Sequence, residues 1–175
     1  MLGYVVADGR GAADRLLAGV ARRLRADGWP LAGAVQVNVS PGPGVRSAMD
    51  LHLLHSGVGT GAVVRISQDL GALAQGCRLD PAALAQAAGL IEAALGAGPR
   101  LLIANKFGKA EAEGGGLRPA IGQALARGIP VLTAVAPKNL PAFEDFAGDF
   151  GECLPAGVGA VLDWCRRTQG AETGV

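Results

Sequence analysis

Two apolar runs constrain this chain more than any other feature: "LLIA" at 101–104 and "IPVLTAV" at 129–135. A strand with no polar alternation has both faces covered, which is the usual state of a strand inside a parallel sheet. Parallel neighbours must be joined by crossover segments, most often helices. The rest of the chain should therefore alternate strand with helix.

It does. "GYVVA" (3–7) is β-branched and apolar, and Gly9 and Gly11 follow it. Leu17, Val20, Ala21 and Leu24 then share one face of a helix that ends near Asp27 and Gly28. A second strand is expected at 33–39, and "PGPG" (41–44) makes a hard turn. The segments 48–54 and 61–67 read as an antiparallel hairpin across "HSGVGTG". The helix at 80–95 has Asp80 to cap it and Pro81 in its first turn. A strand at 100–105, a helix at 118–128 stopped by Gly128, and the strand at 129–135 follow. A short helix at 141–148 and the segment 157–167 complete the pattern. The expected fold is α/β, a three-layer sandwich around a mostly parallel sheet. It occupies 1–168 as one domain, with a frayed polar tail at 169–175.

Composition narrows the function classes. The chain has 175 residues, 50% of them apolar but only 4% aromatic, and 28 glycines, so Leu, Val, Ile and Ala build a core with close backbone approach. A net charge of +1 gives no electrostatic footprint for nucleic acid or a membrane surface. No apolar run reaches the roughly 20 residues of a membrane span. The opening "MLGYVVADGR" carries no signal-peptide pattern, and the expected location is the cytoplasm. Cys77, Cys153 and Cys165 are odd in number and widely spaced, which fits free thiols. Cys77 also lies beside Arg78 before a helix start, a setting that lowers a thiol pKa, although a structural thiol is the plainer reading. His52 and His55, three apart on a strand, point to opposite faces and form no ligand pair there.

In open α/β sheets ligands bind beyond the carboxyl ends of the strands. That rule selects the loops 8–13, 65–70, 105–116 and 136–140 as a shared rim. The loop after 100–105 reads "NKFGKAEAEGGG", with two lysines, two acids and a glycine run. A tetrahedral oxyanion needs donors of this kind. The candidate ligand-binding residues are Gly9, Arg10, Gly11, Arg65, Ser67, Gln68, Arg78, Asn105, Lys106 and Lys109. The N–H groups of 114–116 are further candidates, and Lys138 and Asn139 sit in the last rim loop. The alternative for Lys106 and Lys109 is a solvated loop in which Glu111 and Glu113 pair with them.

The stretch "VVADGRGAADRLLAGVARRLRADGWPLAGAVQ" resembles the opening of a P-loop nucleotide-binding protein: strand, glycine-bearing loop, helix, strand. On the pattern G-x-x-x-x-G-K-[ST], Ala7 and Ala12 stand for the glycines, Ala13 for the lysine and Asp14 for the hydroxyl residue. The phosphate loop is thus degenerate. "NKFGKAE" resembles the D-E-I-G-x-M-E motif of a nucleoside-triphosphatase family first described from thermophiles, with Asn105 and Lys106 in place of its two acids. Nearly the whole chain is similar to an uncharacterised bacterial family related in fold to P-loop NTPases and often encoded beside molybdenum-transport genes. "RISQDLGALAQGCRLDP", "LLIANKFGKAEAEGGGLR" and "GIPVLTAV" carry that likeness.

The resemblance implies P-loop NTPase-like topology and a role around molybdenum. With the acids gone, no catalytic residue, no metal ligand and no magnesium site are expected. The ligand is then an oxyanion such as molybdate or phosphate, or a nucleotide. The leading expectation is a non-hydrolytic binding protein. A hydrolase or kinase with a rebuilt site is the second. The third is a structural or regulatory module that pairs with itself or with a transporter.

Overall fold

The computed structural model describes residues 1–9, 11–40, 42–43, 46–55, 61–68 and 78–170. Seven strands form one sheet: β1 (Leu2–Val6), β2 (Leu31–Val39), β3 (Ala48–Leu53), β4 (Val63–Arg65), β5 (Leu101–Phe107), β6 (Val131–Val135) and β7 (Gly151–Leu154). Their spatial order is β4-β3-β2-β5-β6-β1-β7. The β2–β5, β5–β6, β6–β1 and β1–β7 pairs are parallel, while β3 and β4 extend one side antiparallel.

Among the described residues six α-helices flank the sheet: α1 (Ala12–Ala26), α2 (Pro81–Ala94), α3 (Lys109–Ala112), α4 (Arg118–Ala126), α5 (Leu140–Ala147) and α6 (Val158–Gly170). Two apolar clusters follow from the alternation of strand side chains. Leu31, Val35, Leu101, Ile103, Leu132 and Ala134 pack against Leu17, Val20 and Leu24 of α1 and Trp164 of α6. Ala32, Ala34, Leu102, Ala104, Val131 and Val135 pack against Ile91 of α2, Ile121 of α4 and Phe143 of α5. The result is the three-layer α/β sandwich with a mostly parallel sheet.

The helix starts follow local chemistry. The Asp80 carboxylate accepts the N–H groups of Ala82 and Ala83 at 2.9 and 3.1 Å, and Pro81 fills the first turn of α2. No side chain caps α1; Gly11 does so at φ 71°, in the left-handed region that suits glycine.

Three features depart from expectation. The strand β7 was not foreseen. Its four residues, "GECL", show no apolar run, and its register against β1 defines it. The strand at 61–67 shortens to Val63–Arg65. The helix α6 runs through Gly170, so Gln169 and Gly170 are helical, while 171–175 lie outside the described residues. The aromatic residues are few, yet Trp164, Phe107 and Phe143 are the bulkiest fully buried side chains.

Candidate functional site

The carboxyl ends of β1, β5 and β6 lie side by side, because these strands are sheet neighbours in the order β5-β6-β1. The loop before α1, the segment after β5 and the turn at Pro137–Asn139 therefore share one rim. At the end of β5 the pairing with β6 slips: Ala104 faces Thr133 but Phe107 faces Val135. One extra residue on β5 makes a bulge, which re-aims Asn105 and Lys106.

What they meet is Asp14, in the first turn of α1 and only 4% exposed. Lys106 Nζ lies 3.6 Å from Asp14 Oδ1, with its own side chain 40% exposed. Asn38 Nδ2 donates to Asp14 Oδ2 at 2.8 Å, and Gln36 Nε2 donates to Asn38 Oδ1 at 2.9 Å. Oriented to suit both neighbours, the Asn105 amide donates to Asp14 Oδ1 at 3.2 Å and accepts the Gln36 backbone N–H at 2.6 Å. A buried carboxylate is tolerable only with such partners. The network ties β2, β5 and α1 together where a P-loop protein would cradle a phosphate.

Asp14, which stands for the hydroxyl residue of the phosphate-loop pattern, is the centre of this polar cluster. Asn38 and Gln36 were not singled out. The one signal for them was a polar pair at the end of an otherwise apolar strand, "AVQVNV". Arg15 was also missed. Its Nη1 lies 3.1 Å from where a side chain on Gly11 would begin, so this guanidinium folds back over the loop. Gly9 is exposed at φ 96°, and its N–H is taken by the Asp8 carboxylate at 2.8 Å. Arg10 lies outside the described residues.

The remaining candidates gather elsewhere. β4 is three strand steps from β5, and at about 4.8 Å per step that is roughly 14 Å. Arg65 makes a two-point contact with Asp50, Nε to Oδ1 at 2.9 Å and Nη2 to Oδ2 at 3.2 Å. That guanidinium holds the Asp50 carboxyl below its ordinary range against the opposing effect of burial. Ser67 Oγ accepts the Met49 N–H at 2.9 Å, and the Gln68 N–H donates to the Arg78 carbonyl at 2.6 Å. Arg78 donates to the carbonyls of Ser47 and Gln68 at 3.0 and 3.3 Å. These four residues sew the β3–β4 margin together, so the expected single cluster separates into two. Cys77 lies outside the described residues.

The glycine run after β5 is also committed. Glu111, 4% exposed, accepts the N–H of Gly108 and the N–H of Leu117, both at 2.9 Å. Gly114 and Gly115 donate to the carbonyls of Glu111 and Ala110 at 3.1 and 2.8 Å. A side chain on Gly116 would run into the Glu111 carboxylate. The run is thus a turn closed on Glu111, so the N–H groups of Gly114 and Gly115 are not free to receive an anion. Glu111 does not pair with Lys106, as one expectation had it. Glu113 does pair with Lys109, at 3.7 Å on the exposed face of α3.

Comparison with known proteins places the chain. The family described as "Protein of unknown function (DUF2478)" matches residues 2–164, and the chain belongs to it. The chain is also 39% identical over 155 residues to "Molybdenum import ATP-binding protein ModC 2" of Bradyrhizobium diazoefficiens. That match covers 89% of this chain but only 17% of the relative, so the chain spans a small part of its relative's length. No solved structure matches.

Proposed function

We propose that this chain is a non-hydrolytic binding domain for an oxyanion or a nucleotide, serving molybdate homeostasis. One observation carries the reading. Lys106 stands at the mouth between β5 and the start of α1, loosely held beside Asp14 and 40% exposed. Its long cationic side chain reaches solvent from this 3.6 Å ion pair, while Asn38 and Asn105 also hold the Asp14 carboxylate. The N-terminus of α1 adds outward N–H groups and the positive end of a helix dipole. Asn38 and Asn105 donate to Asp14 and hold its carboxylate beside Lys106.

The geometry disfavours phosphoryl transfer. That reaction relies on carboxylates to help hold magnesium and on a lysine at the phosphates. Here the end of β5 offers an amide and an ammonium, and the acid they meet, Asp14, is engaged by three side chains. Similarity to a molybdenum import ATP-binding protein supports molybdate or a nucleotide as the ligand class.

A regulatory module is the second reading. The matching segment makes up 17% of that relative, so a domain like this one occurs within a longer ATP-binding chain. That supports a partner of the transporter type.

Thermal unfolding of the purified chain with molybdate, tungstate, phosphate, ATP or GTP, each with and without magnesium, separates the readings. A ligand at about 100 times its dissociation constant adds roughly 2.7 kcal/mol, a rise of several degrees at this size. We expect a rise with molybdate or a nucleotide that needs no magnesium, is lost in Lys106→Ala and persists in Lys109→Ala. A rise only with magnesium and nucleotide would point to the enzyme reading. A flat panel would leave the regulatory-module reading.

A further inference from the structure

We infer that Asp14 is a built-in occupant of the anion site, an autoinhibitory carboxylate that holds ligand affinity down. The inference rests on the reading that anions bind beside Lys106. It starts from what surrounds Asp14. Its Oδ2 takes the Asn38 amide at 2.8 Å, and its Oδ1 takes the Asn105 amide at 3.2 Å and the Lys106 ammonium at 3.6 Å. Two amides and an ammonium converging from two strands are the donors that an oxyanion would require. The chain fills that demand with its own acid.

Asp14 is 4% exposed, so its charge is screened little by water. An arriving oxyanion competes with Asp14 for the Lys106 ammonium, and its charge is repelled by the carboxylate. Lys106 is the one member with freedom to change partner, since its side chain is long and 40% exposed. Binding then has to pull Lys106 outward while Asp14 stays behind with Asn38 and Asn105. The site is weak while Asp14 is charged and gains strength when that charge is removed.

The test is calorimetric titration of the full chain with sodium molybdate and, separately, with phosphate. Four proteins are compared: wild type, Asp14→Asn, Lys106→Ala and the double variant. The amide is isosteric and keeps an oxygen for the Asn38 donor, so Asp14→Asn removes charge with little change of shape. We expect Asp14→Asn to bind at least about tenfold more tightly, because like charges at close range disfavour the bound state strongly. The double variant should fall back to the level of Lys106→Ala, which shows that the gain works through Lys106.

Asp14→Ser is the second variant, read in the same direction if Asp14→Asn does not fold. Binding by Asp14→Asn with none by wild type would support the inference and count against anion binding as the native role. Equal or weaker binding by a folded Asp14→Asn protein, with wild type binding, would overturn the inference and leave that role intact. No binding in any variant would overturn both.

Discussion

Glu111 illustrates how a charged residue in a suspected ligand loop can be occupied with architecture. Its two carboxylate oxygens each accept a backbone N–H, from Gly108 and from Leu117. Glu111→Ala leaves both donors unpaired, one of them buried, and should cost about 2–4 kcal/mol in urea unfolding. The Asp50–Arg65 pair gives a pH signature. Arg65 lowers the Asp50 pKa in the folded chain, so the pair adds stability above the unfolded carboxyl value near pH 4. That stability is lost as pH falls through the lower folded value. Asp50→Asn should lower the thermal midpoint at pH 7 by a few degrees, and the gap to wild type should narrow as pH falls below the unfolded carboxyl value. The thiols differ as well. Burial pushes the Cys165 thiol up to about 12, whereas Cys153 is exposed. Iodoacetamide at pH 8, read by peptide mass mapping, should label Cys153 in the native chain and leave Cys165 unlabelled until unfolding.

At the scale of elements, the strands with strong apolar character were legible. "LLIA" and "IPVLTAV" became β5 and β6 in the middle of the sheet, and the helix with Asp80 and Pro81 became α2. β7 was not legible, since a four-residue edge strand with Glu152 and Cys153 exposed is defined by its neighbour and not by its own pattern. The site was legible in part. Asn105 and Lys106 announced themselves as polar residues ending a buried strand. Their partner Asp14 lies about 90 residues earlier in the chain, and only the β1–α1 crossover brings the two together. The separation of Arg65 from Lys106 likewise depends on strand order, which no local pattern encodes. Gly33 tests the packing of these strands. It sits in β2 at φ 97°, and a side chain there would strike the Ile103 carbonyl of β5. Gly33→Ala combines backbone strain with a clash between paired strands, so a loss of about 3 kcal/mol or more is expected in chemical denaturation.

Across the whole molecule, the sheet order sets β1, β5 and β6 together and brings the start of α1 to the end of β5. A P-loop protein uses this junction for phosphate. Here the junction carries a reversed charge pattern, with an acid at the helix and a lysine at the strand. The chain belongs to a family of unknown function and is similar to a segment of a molybdenum import ATP-binding protein. No helix among the described residues is long and apolar enough to cross a membrane. The proposed function turns on anion binding beside Lys106. Anomalous diffraction from crystals of the chain soaked in tungstate tests it most directly, because tungsten reports its own position. We expect a peak within about 4 Å of Lys106 Nζ, the reach of a charge-assisted contact, and no such peak in Lys106→Ala. A tungstate peak confined to the Arg65 and Arg78 margin, or none in well-ordered crystals, would contradict it.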